Sequence, residues 1–250
     1  MDGIKGRWLN ESAGGYPCDV YVPATSNPHG YVIIYLHGIH LESLRDKSAF
    51  LTQLDHHGLP LVAPKTGRSW WTDRICPEFD PDVSAERHMV ECVLPYVEER
   101  FSTAPPAVAL LGTSMGGQGA LRLAYKFPDK FPVVAAISPA VDFQIRWQEG
   151  DEILRQMYAD AEAARQDTAL LHIHPLNWPR HQFFCCDPED ERWFDSAERL
   201  RMKLGSLGIP HECELETRAG GHGFAYYGRM AEQAIGFIAK RLDQERMRIV

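Results

Sequence analysis

Five short runs in this chain are apolar on both faces: residues 31–36, 59–63, 108–111, Val133–Ile137 and 182–186. A strand with one wet face alternates apolar and polar residues. A strand that does not alternate is covered on both sides, which calls for a mostly parallel sheet with helices on both faces. The intervening segments carry helical patterns. Residues 85–101 place Met89, Val93, Val97 and Phe101 on one stripe. Ser48–His57, 117–127, 196–207 and 224–242 read as further helices, and Gly208-Ile209-Pro210 stops the third of them. Residues 211–217 read as a last strand, and 6–10 and 18–22 as antiparallel edge strands. Strand and helix alternation predicts a doubly wound α/β architecture. A length of 250 residues suits one such domain over the whole chain, with residues 142–181 as an inserted lid or pocket wall.

Charge and composition remove several function classes. The formal net charge is -8 with no basic run, so nucleic acid is not the expected partner. No stretch approaches the roughly 20 apolar residues that span a bilayer, so no membrane is expected. Met1-Asp2-Gly3-Ile4-Lys5-Gly6-Arg7 has no apolar segment behind its basic residues, which predicts a cytoplasmic protein. The six cysteines form no C-x-x-C pair and are expected reduced and mostly buried.

Chemistry enters at Gly112-Thr113-Ser114-Met115-Gly116, a G-x-S-x-G pattern between the run 108–111 and the helix 117–127. This is the strand–turn–helix setting in which a serine hydroxyl is lifted above the sheet. Glycines two residues either side remove clashes at the tight turn, and the helix start points amides at a reacting carbonyl. A nucleophilic serine needs a base. Of eleven histidines, His222 lies in Gly220-Gly221-His222-Gly223, between the last strand and last helix. That position is at the carboxyl ends of the strands, where open α/β sheets place their sites. The base needs an acid from the loop Asp187-Pro188-Glu189-Asp190-Glu191. Asp190 is favoured because it lies farther into the loop, where it can bend back to an imidazole. Asp187 is the alternative, and Glu189 and Asp195 are less well placed.

His37-Gly38-Ile39-His40 follows the first central run. There the Ile39 amide can pair with that of Met115 to form an oxyanion hole, with His37 orienting the loop. Trp70, Trp71 and Trp147 are candidates to line a substrate pocket, Trp147 together with Tyr158 and Trp178 from the insertion. His172 and His174 lack a third ligand at metal-site spacing, so no metal is expected.

The elbow and its continuation, Gly112-Thr113-Ser114-Met115-Gly116-Gly117-Gln118-Gly119-Ala120-Leu121, resemble the putative esterase family of the α/β-hydrolase superfamily. That family includes esterase D (S-formylglutathione hydrolase) and the mycolyltransferases. The likeness extends through residues 94–101, 125–131 and 136–139, and through His37-Gly38 and the Gly-Gly-His222-Gly loop. It departs from esterase D around residues 69–80. The resemblance implies an α/β-hydrolase fold and cofactor-free hydrolysis of a small carboxylic ester or thioester. It assigns Ser114 as nucleophile, His222 as base and the loop carboxylate as acid. Rival readings are a prolyl-oligopeptidase-like peptidase or an acyltransferase on the same fold, and a non-catalytic binding protein that kept the fold.

Overall fold

The computed structural model of the chain describes residues 5–248. Met1 to Ile4, part of the N-terminal segment read above, lie outside them. Eight strands form one sheet among the described residues: β1 (Arg7–Ala13), β2 (Tyr16–Val22), β3 (Val32–Leu36), β4 (Leu61–Pro64), β5 (Val108–Thr113), β6 (Val133–Ile137), β7 (His181–Cys185) and β8 (Glu212–Glu214). Their spatial order is β1-β2-β4-β3-β5-β6-β7-β8. The strands from β3 to β8 run parallel, while β1–β2 and β2–β4 are antiparallel. The expected antiparallel pair is therefore present, but only β1 is an edge; β2 sits between β1 and β4.

Alternate residues of the central strands enter opposite cores, which is why these runs do not alternate in polarity. Ile34, Leu36, Leu110, Val134 and Ala136 face one core. Ile33, Tyr35, Leu111, Ala135 and Ile137 face the other, against α1 (Ser48–His57) and the final helix. The helices between β4 and β6 are α2 (Ala85–His88), α3 (Leu94–Phe101) and α4 (Met115–Lys126). Residues 85–101 do not form the single α-helix expected, because a π turn over Met89–Val93 joins α2 to α3. The apolar stripe there repeats every fourth residue, wider than the 3.6 residues of an α-helical turn, and the wider turn absorbs the drift.

Residues 142–181 hold three short helices, α5 (Gln144–Gln148), α6 (Glu152–Met157) and α7 (Ala161–Gln166), then a 3₁₀ turn over Ala169–His172. Asp151 and Asp160 cap α6 and α7 by accepting first-turn amides. Beyond them come α8 (Phe194–Ser206) and α9 (Phe224–Arg246). Strand β8 is shorter than the expected 211–217. The Glu214 carboxylate accepts the Glu216 and Thr217 amides at 2.8 and 3.0 Å and turns the chain out of the sheet. Strand order, direction and two-sided covering are those of the α/β-hydrolase fold.

A buried ion network fastens residues 142–181 to the sheet's helices. The Arg122 guanidinium on α4 is paired with both Glu86 and Asp167. Asp167 also accepts from the Tyr158 hydroxyl at 2.7 Å and pairs with His172 at 3.1 Å. Burial opposes the Asp167 charge, but His172, Arg122 and Tyr158 prevail and hold its pKa at about 2. A folded pKa below the unfolded one means that this stabilisation is full above the ordinary carboxylate range. It fades as pH falls through that range toward 2. Arg122→Met removes the shared cation and leaves Glu86 to Lys126 and Asp167 to His172 and Tyr158, so the expected loss is about 3 kcal/mol, the low end for a broken buried pair, in urea unfolding at neutral pH. A loss below about 1 kcal/mol would contradict this account.

Candidate active site

The site grows from the carboxyl end of β5. Ser114 follows this strand and opens α4 with φ 56° and ψ -118°, a conformation rare for a residue with a side chain. The turn closes because its neighbours lack side chains. A Cβ on Gly116 would meet the Leu36 carbonyl, and one on Gly112 would meet that of Gly116. The Ser114 amide donates to Ile137 O at 3.0 Å and its carbonyl accepts from Ala140 at 3.0 Å, so the elbow is stitched to β6 and the loop after it. These contacts lift the hydroxyl toward the loops at the strand ends.

The loop after β3 lies against the serine. A Cβ on Gly38 would come 3.4 Å from the Ser114 Cβ. His37 holds this loop. Its Nε2 accepts the Thr66 amide at 3.3 Å, so Nδ1 carries the proton and donates to Gly38 O at 3.0 Å. Burial lowers its pKa to about 4, so the ring stays neutral. The Met115 and Ile39 amides take no acceptor among the described residues, and Met115 is the first residue of α4.

His222 reaches the serine from the loop between β8 and α9. Its Nε2 lies 2.8 Å from Ser114 Oγ, and its Nδ1 lies 2.6 Å from Asp190 Oδ2. Ser114, His222 and Asp190 thus form one hydrogen-bonded chain. Asp190 is buried, and its other oxygen accepts the Trp193 amide at 3.1 Å, which fixes the carboxylate at the start of α8. Asp187, the alternative, has a different set of partners. It accepts the Glu189 amide at 2.8 Å, Ala219 at 2.7 Å and Gly221 at 2.9 Å. Burial works against its charge, but these amides outweigh burial and hold its pKa below the ordinary range. Asp187 therefore ties the histidine loop to the acid loop. Glu189 pairs with Arg218.

Two recesses flank Ser114. One, of about 230 Å³, is walled by Ile39, Trp70, Arg146, Arg192 and Trp193. The other, of about 240 Å³, is walled by Ile39, Glu42, Phe224 and Tyr227. Of the three tryptophans expected at a pocket, Trp70 lines the first recess. Trp71 lines neither: it packs on Gly119 and donates its indole N–H to His37 O at 3.2 Å. Trp147 lines neither, and its indole donates to Tyr158 O at 3.1 Å within the insertion. Arg146, Arg192, Trp193 and Tyr227 were not singled out from sequence. Tyr227 alone had a readable signal, because it lies within two helical turns of His222 on α9. Its ring meets His222 edge-on at 5.5 Å. Among the described residues no group of three metal-ligating side chains converges, and His172 is engaged with Asp167.

Comparison with known proteins gives the family and the fold. Residues 14–228 match the model of the family described as "Putative esterase". Similar solved structures include the substrate-bound fluorophosphonate-binding serine hydrolase F (FphF) of Staphylococcus aureus, at 16% identity and TM-score 0.75. That match covers 94% of this chain and 98% of the other. An S-formylglutathione hydrolase of Agrobacterium tumefaciens has 17% identity and TM-score 0.77, covering 97% and 100%. A ferulic acid esterase has 18% identity and TM-score 0.72, covering 94% and 98%. At such identities the structural likeness establishes the fold. No curated protein matches the chain.

Replacing Asp187 tests the tie between the two loops. Asp187→Ala leaves three amides without their acceptor, and the expected cost is about 2–3 kcal/mol. Hydrogen exchange of the Ala219 and Gly221 amides is expected to quicken at least tenfold while the amides of β5 and β6 stay protected. Unchanged exchange at Ala219 and Gly221 would rule this tie out.

Proposed function

The chain belongs to this esterase family and is a carboxylic ester hydrolase; from that premise we propose that it cleaves esters through Ser114, His222 and Asp190. The observation that carries the residue assignment is the unbroken chain from Ser114 Oγ through His222 to Asp190, at 2.8 and 2.6 Å. Both distances fall in the range that proton transfer and imidazole orientation require.

The reaction follows from these positions. His222 Nε2 accepts the Ser114 hydroxyl proton as Oγ attacks the ester carbonyl carbon. The carbonyl electron pair moves to oxygen, and the free amides of Met115 and Ile39 are the donors placed to hold that charge. His222 Nε2–H then protonates the departing alkoxide or thiolate as its bond to carbon breaks, leaving an acyl group on Ser114. Water enters, gives its proton to His222 and attacks the acyl carbon, and Ser114 leaves with that proton. Asp190 accepts from Nδ1–H throughout, fixing the tautomer and supporting the imidazolium. Ser114, His222 and the amides supply every proton transfer and charge contact in this scheme, so it calls on no cofactor. The insertion 142–181 serves as a pocket wall in this reading, which is supported by Arg146 at the first recess. Six unpaired cysteines suit a reducing compartment such as the cytoplasm.

Ser114→Ala is expected to lower kcat/KM for p-nitrophenyl acetate by at least about 10⁴ without changing the melting temperature by more than a few degrees. The same variant should no longer be labelled by a fluorophosphonate. Asp190→Asn is expected to lower kcat by about 10³–10⁴. Ester turnover that survives in Ser114→Ala would overturn the assignment.

A further inference from the structure

The two recesses beside Ser114 differ in charge. The one walled by Phe224 and Tyr227 holds a single charged side chain, Glu42, which is already paired with Lys47 at 3.0 Å. The one walled by Trp70 and Trp193 holds Arg146 and Arg192 and no carboxylate. This is a local inversion in a chain of net charge -8. The arginines come from separate elements, Arg146 from α5 in the insertion and Arg192 from the acid loop before α8. Each is anchored through one nitrogen by an acid outside the recess. Arg146 Nε donates to Asp151 at 3.1 Å, and Arg192 Nη1 donates to Glu149 at 2.5 Å. The remaining guanidinium nitrogens take no acceptor among the described residues. Both heads are partly accessible, with side-chain exposures of 31% and 42%. The Trp70 indole Nε1–H is likewise buried without a partner.

Anchored guanidinium forks with free N–H donors on a recess wall are suited to a planar anion, which they can grip with two parallel hydrogen bonds. Fixing the stems beforehand lowers the entropic cost of that grip. Resting on the ester-hydrolase reading, we propose that the preferred substrates are esters bearing a carboxylate, held by Arg146 and Arg192 in the recess of Trp70 and Trp193. About 230 Å³ between two indoles admits a short chain or a single ring ahead of that carboxylate. Arg146 and Arg192 are then specificity-determining residues, and the insertion selects substrate by charge.

Two matched ester pairs test this. p-Nitrophenyl hydrogen glutarate against p-nitrophenyl valerate carries the anion on the acyl side. 4-Acetoxybenzoate against 4-acetoxytoluene carries it on the leaving group. Wild type is expected to favour the anionic member of one pair by about tenfold or more in kcat/KM, mostly through KM. The favoured pair identifies which half of the ester occupies the recess. In Arg146→Gln/Arg192→Gln the anionic-to-neutral ratio should fall to about one, and in Arg192→Gln alone it should fall partway. A ratio within twofold of one in both pairs for wild type, or an unchanged ratio in the double variant, overturns the proposal. Calorimetry on Ser114→Ala separates the two readings. Tighter binding of 4-acetoxybenzoate than of 4-acetoxytoluene, with no turnover of either by wild type, would support the charged recess and sink the hydrolase reading. Turnover of neutral and anionic esters at equal efficiency would do the reverse.

Discussion

One close approach organises this molecule: the backbone of β3 runs so near the first turn of α4 that position 116 has no room for a side chain. The Leu36 carbonyl occupies the place of a Cβ there. Because α4 must begin that close to β3, the turn from β5 into α4 is made within one residue, and Ser114 takes the left-handed φ of 56° that the reversal demands. Such a conformation costs of order 1–3 kcal/mol. It persists because β3, β5 and β6 over-determine it, with the Ser114 backbone bonded to Ile137 and Ala140. The same approach brings the loop after β3 against the serine, with Gly38 beside its Cβ. The strain at Ser114 and the contact of that loop with it are consequences of a single packing distance.

The two loops that complete the hydrogen-bonded chain depend on the sheet less directly. His222 comes from a glycine-flanked segment that would wander if it were held only at its ends. Asp187 prevents this by accepting amides from both Ala219 and Gly221, while Asp190 orients the ring. The two acids three residues apart therefore divide two tasks, one holding the backbone of the histidine loop and the other its side chain. This explains why residue type and position in the loop left both open in the sequence. Either task is ordinary chemistry for a carboxylate just past a strand end, and only the direction of the side chain separates them.

What was legible in the sequence was local. Strands β3 to β7 are readable because burial on both faces leaves a mark on every residue, and the elbow is readable because its glycines are close in the chain. Register with distant elements leaves no such mark. The π turn at Met89–Val93 was hidden in a stripe whose spacing of four looks helical, and the short β8 depended on where the Glu214 side chain turned. The pocket was the least legible part. Trp70 and Trp71 are adjacent and chemically identical, yet one lines the recess and the other braces His37, a difference set by successive left-handed φ values at both residues.

Residues 142–181 contribute Arg146 to the recess wall while their attachment to the rest of the molecule lies elsewhere. That attachment includes Arg122, Glu86 and Asp167, a network six residues along α4 from the Gly116 contact with Leu36. Ion pairs of this kind are directional, and they act together with buried Phe143, Ile153, Leu154 and Tyr158 to hold these residues. Of the residues facing the recess, Trp70 and Trp193 belong to that apolar core, whereas Arg146 and Arg192 keep partly exposed side chains. A scaffold of this form keeps the serine, histidine and amides in register through sheet packing. Selection of the substrate passes to side chains such as Arg146, which the sheet does not touch.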